Sequence, residues 1–169
     1  MPPPIRILIL SSELHNRLAL ADILNREHWE TICASTVNEF QEVLERRNVT
    51  LVFCDRQLSD GTYRDVLQTM RSLSTNVPLV VISRLADWDE YLEVLQEGAF
   101  DLIASPCRLT DVTWVVLRAQ HEYKKRRAPI GRGKAYDDVF SQEPIRAEDQ
   151  TRINGRGADA ELRSKARSA

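Results

Sequence analysis

Five short apolar runs, separated by segments with helical spacing, most constrain how this 169-residue chain can fold. Each run is apolar without alternation, which is typical of strands that are covered on both faces in a parallel sheet. The runs are Ile5–Leu10, Thr31–Ala34, Leu51–Cys54, Leu79–Ile82 and Phe100–Ala104. They predict five buried strands.

The segments between the runs carry apolar residues three or four positions apart, as on one face of an α-helix. These residues are Leu14, Leu18, Ala21 and Leu24; Val37, Phe40, Val43 and Leu44; Val66, Leu67, Met70 and Leu73; Tyr91, Leu92, Val94 and Leu95; and Val112, Val115, Val116 and Ala119. Five such units predict an α/β fold: a doubly wound five-stranded parallel sheet with helices on both faces. Ligands of such sheets bind at the carboxyl ends of the strands.

The composition divides the chain into three parts. Residues 1–4 are a proline-rich lead, residues 5–127 form the domain, and residues 128–169 carry few large apolar side chains. A segment of this composition cannot bury a core, so we expect a disordered polar tail.

The sequence shows no signal-peptide pattern and no apolar run near the ~20 residues that span a bilayer. We therefore expect a cytoplasmic protein without membrane contact.

Charge and cysteine content exclude further classes. The net charge of −2 argues against a nucleic-acid partner bound through counterion release. The three cysteines, Cys33, Cys54 and Cys107, have no metal-binding spacing, and we interpret them as reduced core residues.

Polar residues follow four of the predicted strands, at the edge of the sheet where a ligand would bind. Asp55 is the carboxylate at the end of the third run. The others are Ser11, Ser12 and Glu13 after the first run, Ser83 after the fourth, and Ser105 and Pro106 after the fifth. A solvated aspartate at a strand end is common in α/β proteins, so Asp55 alone identifies no chemistry.

Taken together, these stretches resemble the response-regulator receiver family over roughly residues 5–125. The stretches that carry the resemblance are Ile7–Glu13, Leu51–Asp55 with Leu58–Gly61, Pro78–Ser83, and Glu97–Asp101 with Ser105–Pro106. The resemblance implies a flavodoxin-like sheet with strand order 2-1-3-4-5. It also implies that Asp55 matches the phosphoacceptor, Ser83 the hydroxyl that senses the phosphoryl group, and Pro106 the proline after the site lysine, joined through a cis bond.

Three features depart from the receiver pattern. Receivers carry two acidic residues where this chain has Ser11 and Ser12, and those residues hold Mg²⁺ together with the phosphoacceptor. The site lysine is replaced by Ser105, and the switch aromatic of the last strand is replaced by Leu102. The resemblance therefore implies a site that has lost its metal ligands and its cation.

These losses weaken phosphoryl transfer, which needs charge neutralisation at the transferred group. Mg²⁺ prefers carboxylate oxygens, and Asp55 alone offers one carboxylate. Arg56 and Arg84 flank the site in sequence, but a residue next to Asp55 along a strand points to the other face.

We interpret the chain as a degenerate receiver, not an enzyme and without a cofactor, that acts by protein contact in a bacterial phosphorelay. The alternative is a conventional receiver that a histidine kinase phosphorylates on Asp55, with Mg²⁺ as its cofactor. A small-molecule-binding flavodoxin-like domain is disfavoured, because no glycine-rich phosphate loop follows the first strand.

A second apolar group lies beside the stripe of the last helix that must face the sheet. It contains Trp114 and Leu117, and the resemblance brings it near Leu102, Trp88 and Tyr91. These five residues predict a partner face made by the fourth helix, the last strand and the last helix. We expect a histidine kinase, another signalling protein or a second copy of the chain to bind there. The other interpretation is a helix that packs more deeply or is covered by the tail.

Overall fold

The computed structural model describes residues 4–127, in which five strands alternate with five helices. The strands are β1 (Arg6–Leu10), β2 (Glu30–Ala34), β3 (Leu51–Asp55), β4 (Leu79–Ser83) and β5 (Asp101–Ala104). The helices are α1 (Leu14–Arg26), α2 (Val37–Arg46), α3 (Tyr63–Ser72), α4 (Trp88–Gln96) and α5 (Leu109–Arg127). The predicted tail, 128–169, and the first three residues of the lead 1–4 lie outside the described residues.

The strands form one parallel sheet in the order β2-β1-β3-β4-β5, which confirms the predicted fold. The chain winds outward from β1 to β2 and then returns to place β3 on the other side of β1. The direction of winding therefore reverses between β1 and β3. In doubly wound sheets the crevice at this reversal is the usual ligand site.

Alternate residues of each strand enter two different core layers, as the two-residue period of a strand requires. In β3, Leu51 and Phe53 pack in the layer beneath α1 and α5, whereas Val52 and Cys54 pack beneath α2, α3 and α4. We call these the α1/α5 side and the α2–α4 side. A residue at a strand end can be assigned to a side by continuing this alternation.

The predicted stripe of α5 is confirmed, because Val112, Val115, Val116 and Ala119 are all buried.

The predicted stripe of α1 is wrong in part. Leu14 and Leu18 are 59% and 60% exposed, whereas Leu24 is buried as predicted, together with Leu20, which the prediction did not include. The helix carries apolar residues on two stripes, and packing against β1 and β2 selects the one that contains Leu20 and Leu24.

The edge strand β2 is less buried than the other strands. Cys33 on this strand is exposed and Cys107 is half-buried, so the prediction that all three cysteines are core residues is wrong for these two. Cys54 in the central strand β3 is buried, as predicted.

Both ends of α4 are fixed by local structure. The side chain of Asp87 caps the first turn by accepting the backbone N–H of Glu90 at 2.9 Å. Gly98 follows the last turn with a φ of +105°, a conformation that a residue with a Cβ rarely adopts.

Within residues 4–127, no helix is long and apolar enough to cross a membrane.

Candidate functional site

Asp55 ends β3 at the point where the winding of the sheet reverses, and it lines a cleft of about 490 Å³. Continuing the strand alternation places Asp55 on the α1/α5 side, together with Ser11 after β1. Ser12, Ser83, Arg84 and Ser105 also line this cleft. The structure thus brings the sequence-predicted site residues to one end of the sheet.

Hydrogen bonds from neutral groups hold the Asp55 carboxylate. The hydroxyl of Ser11, itself almost fully buried, donates to Oδ2 at 2.5 Å. The amide of Asn16 on α1 donates to the same oxygen at 3.2 Å. The position that carries an acid in receivers therefore donates a hydrogen bond to Asp55 in this chain and offers no carboxylate to a cation.

Burial raises the pKa of the Asp55 carboxyl above its ordinary value. The hydrogen bonds from Ser11 and Asn16 and the charge of Arg84 lower this pKa, and the charge of Glu13 raises it, but burial dominates. Among the described residues no lysine or arginine forms an ion pair with Asp55. The carboxylate is therefore half-buried without a cation in contact.

Ser12 belongs to the loops beside the site and makes no hydrogen bond to Asp55. Continuing the alternation of β1 places it on the α2–α4 side, opposite Ser11. Its hydroxyl donates to the carbonyl of Ser35 at 3.0 Å and accepts the backbone N–H of Ser59 at 2.8 Å. These bonds tie the loop after β3 to the loop after β2.

Ser83 also turns away from Asp55. It ends β4 on the α2–α4 side, and its hydroxyl donates to Oε1 of Glu90 on α4 at 2.8 Å. Arg56, which follows Asp55, pairs with the same Glu90 oxygen at 2.6 Å. As predicted, the Arg56 guanidinium is directed away from Asp55, here to Glu90 of α4, although Arg56 also lines the cleft.

Ser105 stands where receivers carry the site lysine. Its backbone N–H donates to the carbonyl of Ser83 at 2.8 Å, and the peptide bond between Ser105 and Pro106 is cis. Ser105 lines the cleft beside Asp55 and contributes only a neutral hydroxyl. The position adds no charge that could balance a transferred phosphoryl group.

The residues around Asp55 do not fit Mg²⁺, the ion that the fold family implies. Within residues 4–127, no three His, Cys, Asp or Glu side chains lie close enough together to hold a metal. Asp55 supplies one carboxylate, already hydrogen-bonded to Ser11 and Asn16, and the other hydroxyls are neutral. A hard divalent cation that dehydrates reluctantly gains little from such donors.

Four of the five residues of the predicted partner face are at least partly exposed. Trp88 is 69% exposed and stacks on the partly buried Tyr91 with 5.6 Å between the ring centroids. Trp114 and Leu117 on α5 are each 54% exposed. Leu102 is the exception at 9%, because α4 covers this side of β5 and places Leu102 in the core. The prediction that Leu102 contributes an exposed side chain is wrong.

The sequence interpretation missed two polar residues, Asn16 and Glu90. Each lies one helical turn before a buried apolar residue, Leu20 in α1 and Val94 in α4, and so shares the face that packs on the sheet. A search for apolar spacing passes over such positions because their side chains are polar. The sequence signal that could have identified Asn16 and Glu90 is their position four residues before a core residue, in a helix that follows a strand end.

A matching protein family and a related protein both connect this chain with response regulators. Residues 7–116, more than half of the chain, match the family described as "Response regulator receiver domain". The response regulator protein PilR of Pseudomonas aeruginosa is 28% identical over 128 residues, which cover 74% of this chain and 28% of PilR. This chain therefore spans little more than a quarter of the length of that relative.

Two solved structures resemble the described domain. NtrX from Brucella abortus in complex with ATP has a TM-score of 0.67 and 26% identity, over 72% of this chain and 28% of that one. The beryllofluoride-activated NtrC4 receiver domain dimer has a TM-score of 0.64 and 19% identity, over 70% of this chain and 98% of that one, a likeness of fold alone. With a family match over residues 7–116 and the strand order of its sheet, the chain belongs to the response regulator receiver domain family of two-component signalling.

Proposed function

We propose that this domain is a degenerate receiver: a non-enzymatic, cytoplasmic signalling adaptor that acts by binding proteins and does not depend on Mg²⁺ or on phosphorylation. The observation that carries the proposal is the environment of Asp55. Its carboxylate is held by Ser11 and Asn16, and within the described residues it belongs to no cluster of three metal-binding side chains and has no ion-paired cation.

The charge balance of a phosphorylated Asp55 supports this proposal. A phosphoryl group adds about −1.5 to −2 charges at neutral pH. In this cleft it would meet the neutral Ser11, Asn16 and Ser105, the acidic Glu13, and two arginines, Arg84 and Arg56, of which Arg56 is already paired with Glu90. Preorganised cations and hydrogen-bond donors are usually the largest contribution to stabilising such charge. With no carboxylate pair to hold a metal and no lysine at position 105, transfer to Asp55 is disfavoured.

The same contacts stabilise the unmodified state. Where receivers place carboxylates that repel one another, Ser11 donates a hydrogen bond to Asp55. Hydrogen bonds to a charged group contribute about 1.5–3 kcal/mol each. The domain therefore needs no metal to relieve repulsion at this site, which suits a surface that is permanently ready to bind.

The proposed binding surface is the partner face, now defined as Trp88, Tyr91, Trp114 and Leu117. Large aromatic side chains of this kind are enriched in protein interfaces. A histidine kinase, another signalling protein or a second copy of the chain is the proposed partner. The beryllofluoride-activated NtrC4 receiver domain is a dimer, which supports self-association as one use of the fold.

The second candidate is a conventional receiver that a histidine kinase phosphorylates on Asp55. One observation favours it: Asp55 lies in an open cleft at the end of β3, and the charge of Arg84 acts on its pKa. The two candidates differ in what Mg²⁺ does to the protein.

Calorimetric titration with Mg²⁺ separates them. We expect no binding heat from the wild-type chain at millimolar Mg²⁺. The triple variant Ser11→Asp, Ser12→Asp, Ser105→Lys should bind the ion, because Asp55 is already in place. The same triple variant with Asp55→Asn is the matched control and should lose binding. Saturable Mg²⁺ binding by the wild-type chain that Asp55→Asn abolishes would favour the conventional receiver.

A further inference from the structure

Glu90 is a buried carboxylate on α4 that faces away from Asp55. It is 4% exposed, and both of its oxygens are used. Oε1 accepts the hydroxyl of Ser83 at 2.8 Å and pairs with Arg56 at 2.6 Å, while Oε2 accepts the backbone N–H of Ala86 at 2.7 Å. A buried charge is tolerated when it is paired and hydrogen-bonded in this way.

The bond to Glu90 uses the single proton of the Ser83 hydroxyl. The same hydroxyl oxygen accepts the backbone N–H of Leu85 at 3.3 Å. Ser83 therefore cannot donate to a group on Asp55 until it leaves Glu90. The hydroxyl at the position that senses a phosphoryl group in receivers is therefore already bonded to Glu90 of α4.

The loop between β4 and α4 takes its shape around the same carboxylate. Ala86 has a φ of +44°, in the left-handed region that an alanine rarely adopts. Its N–H is the one that Glu90 accepts. Such a conformation persists only when the surrounding contacts hold it. Trp88, at the start of α4 and in the partner face, follows two residues later.

Arg56 connects this arrangement to the strand that carries Asp55. Its guanidinium pairs with Glu90 and also approaches Glu93 one turn along α4 at 3.5 Å. Glu93 is in turn paired with Arg64 of α3. The ion pairs thus fix α4 against β3 and α3 on the α2–α4 side.

We propose that Glu90 is a latch: it withdraws the Ser83 hydroxyl from Asp55 and holds the β4–α4 loop, and with it Trp88 of the partner face, in one conformation. Glu90 is a positioning residue, because it acts through Ser83 and Ala86. The inference rests on the proposed function, since a permanent latch suits a receiver whose binding surface does not wait for phosphorylation. The latch makes the conformation of the partner face independent of phosphorylation at Asp55.

Amide hydrogen exchange on the full chain tests the latch. Glu90→Met removes every acceptor and fills similar space beside Val94. We expect the amides of Leu85 and Ala86 to exchange at least about tenfold faster, a factor equal to the loss of about 1.4 kcal/mol of local protection. The matched control is Glu93→Met, the same change one turn along α4, which should leave both amides within about twofold of wild type.

Two readouts separate a latch from general destabilisation. Amides of the central strand β3 should keep their wild-type exchange rates in Glu90→Met. The indole resonance of Trp88 should shift while that of Trp114 stays in place. Unchanged protection at Leu85 and Ala86, or loss of protection throughout β3, would overturn the proposal.

A measurement on the wild-type chain does not depend on any variant folding. The side-chain couplings of Ser83 should report a single χ1 rotamer, the one that reaches Glu90, and averaged couplings would contradict the latch. Neither experiment uses a phosphodonor or Mg²⁺. A failed latch therefore remains distinguishable from a failure of the proposed function, which metal binding and phosphorylation test.

Discussion

At the scale of single residues, the domain departs from the receiver pattern in the hydrogen-bonding capacity of a few side chains. Replacing an acid with Ser11 turns a potential metal ligand into a donor that binds Asp55 at 2.5 Å. Asn16 adds a second neutral donor. The carboxylate is satisfied without metal, yet it remains half-buried without a cation in contact, and that burial raises its pKa.

The raised pKa of Asp55 predicts how stability depends on pH. The folded state holds the Asp55 proton more tightly than the unfolded chain does. The contribution of this group to stability is therefore fully present below its unfolded pKa and is lost as pH rises through the raised folded pKa. Asp55→Asn removes the buried charge, so we expect its thermal midpoint at pH 7 to exceed that of wild type by roughly 2–5 °C.

This difference should vanish in acid, where Asp55 is protonated in both states, and thermal denaturation followed by circular dichroism across pH 3–7 measures it. Asp22→Asn is the control, because Asp22 is exposed and its pairing with Arg26 is on the surface. A midpoint for Asp55→Asn below that of wild type at pH 7 would show that the carboxylate is stabilised and not penalised.

The thiols should react in the order of their exposure and pKa. Burial raises the pKa of Cys107 to about 11, so at pH 8 only about one thiol in a thousand is the reactive thiolate. Cys33 is exposed and Cys54 is fully buried. Alkylation at pH 8 with peptide mapping should label Cys33 first and Cys54 last, and unfolded protein should lose this order. Labelling of Cys107 ahead of Cys33 would contradict the structure.

At the scale of secondary-structure elements, apolar patterning predicted the strands and the buried stripe of α5, because both bury nearly continuous apolar surface. It failed in α1, where two apolar stripes compete and only tertiary packing selects Leu20 over Leu18. It also missed Asn16 and Glu90, which are polar residues on buried faces. Their roles depend on which strand end lies opposite, and spacing within one helix does not contain that information.

Two exposed leucines on different helices provide a matched test of the partner face. Leu117 on α5 is 54% exposed and Leu18 on α1 is 60% exposed. We expect Leu117→Asp to weaken self-association or kinase binding at least about tenfold, as loss of an interface anchor does, and Leu18→Asp to leave it within about twofold. Sedimentation velocity and a binding titration measure the two effects. Equal weakening by both variants would mean that binding is not localised to this face.

At the scale of the whole molecule, the hydrogen bonds and ion pairs around the cleft form two separate sets. Ser11, Asn16 and Asp55 meet on the α1/α5 side, whereas Ser83, Arg56 and Glu90 meet on the α2–α4 side. In the receiver pattern the residues at the Asp55 and Ser83 positions act on one phosphoryl group. In this chain no described hydrogen bond joins Asp55 to Ser83, so the phosphoacceptor position and the partner face have separate supports.

The fold and the departures at Ser11, Ser12 and Ser105 could be predicted from the sequence. The apolar runs locate the strand ends, and the residue types that follow each run are visible in the sequence itself. The sequence did not predict that Ser83 is held by Glu90, which requires the position of α4 relative to β4.

The most direct test of the degenerate-receiver account is intact-mass spectrometry of the full chain after incubation with acetyl phosphate and Mg²⁺. Asp55 lacks the acidic pair and the site lysine of the receiver pattern, which Ser11, Ser12 and Ser105 replace, so we expect no phosphoryl adduct on the wild-type chain. The triple variant Ser11→Asp, Ser12→Asp, Ser105→Lys serves as the positive control and should gain an adduct that Asp55→Asn removes. A phosphoryl adduct on the wild-type chain that disappears in Asp55→Asn would contradict the account and identify a conventional receiver.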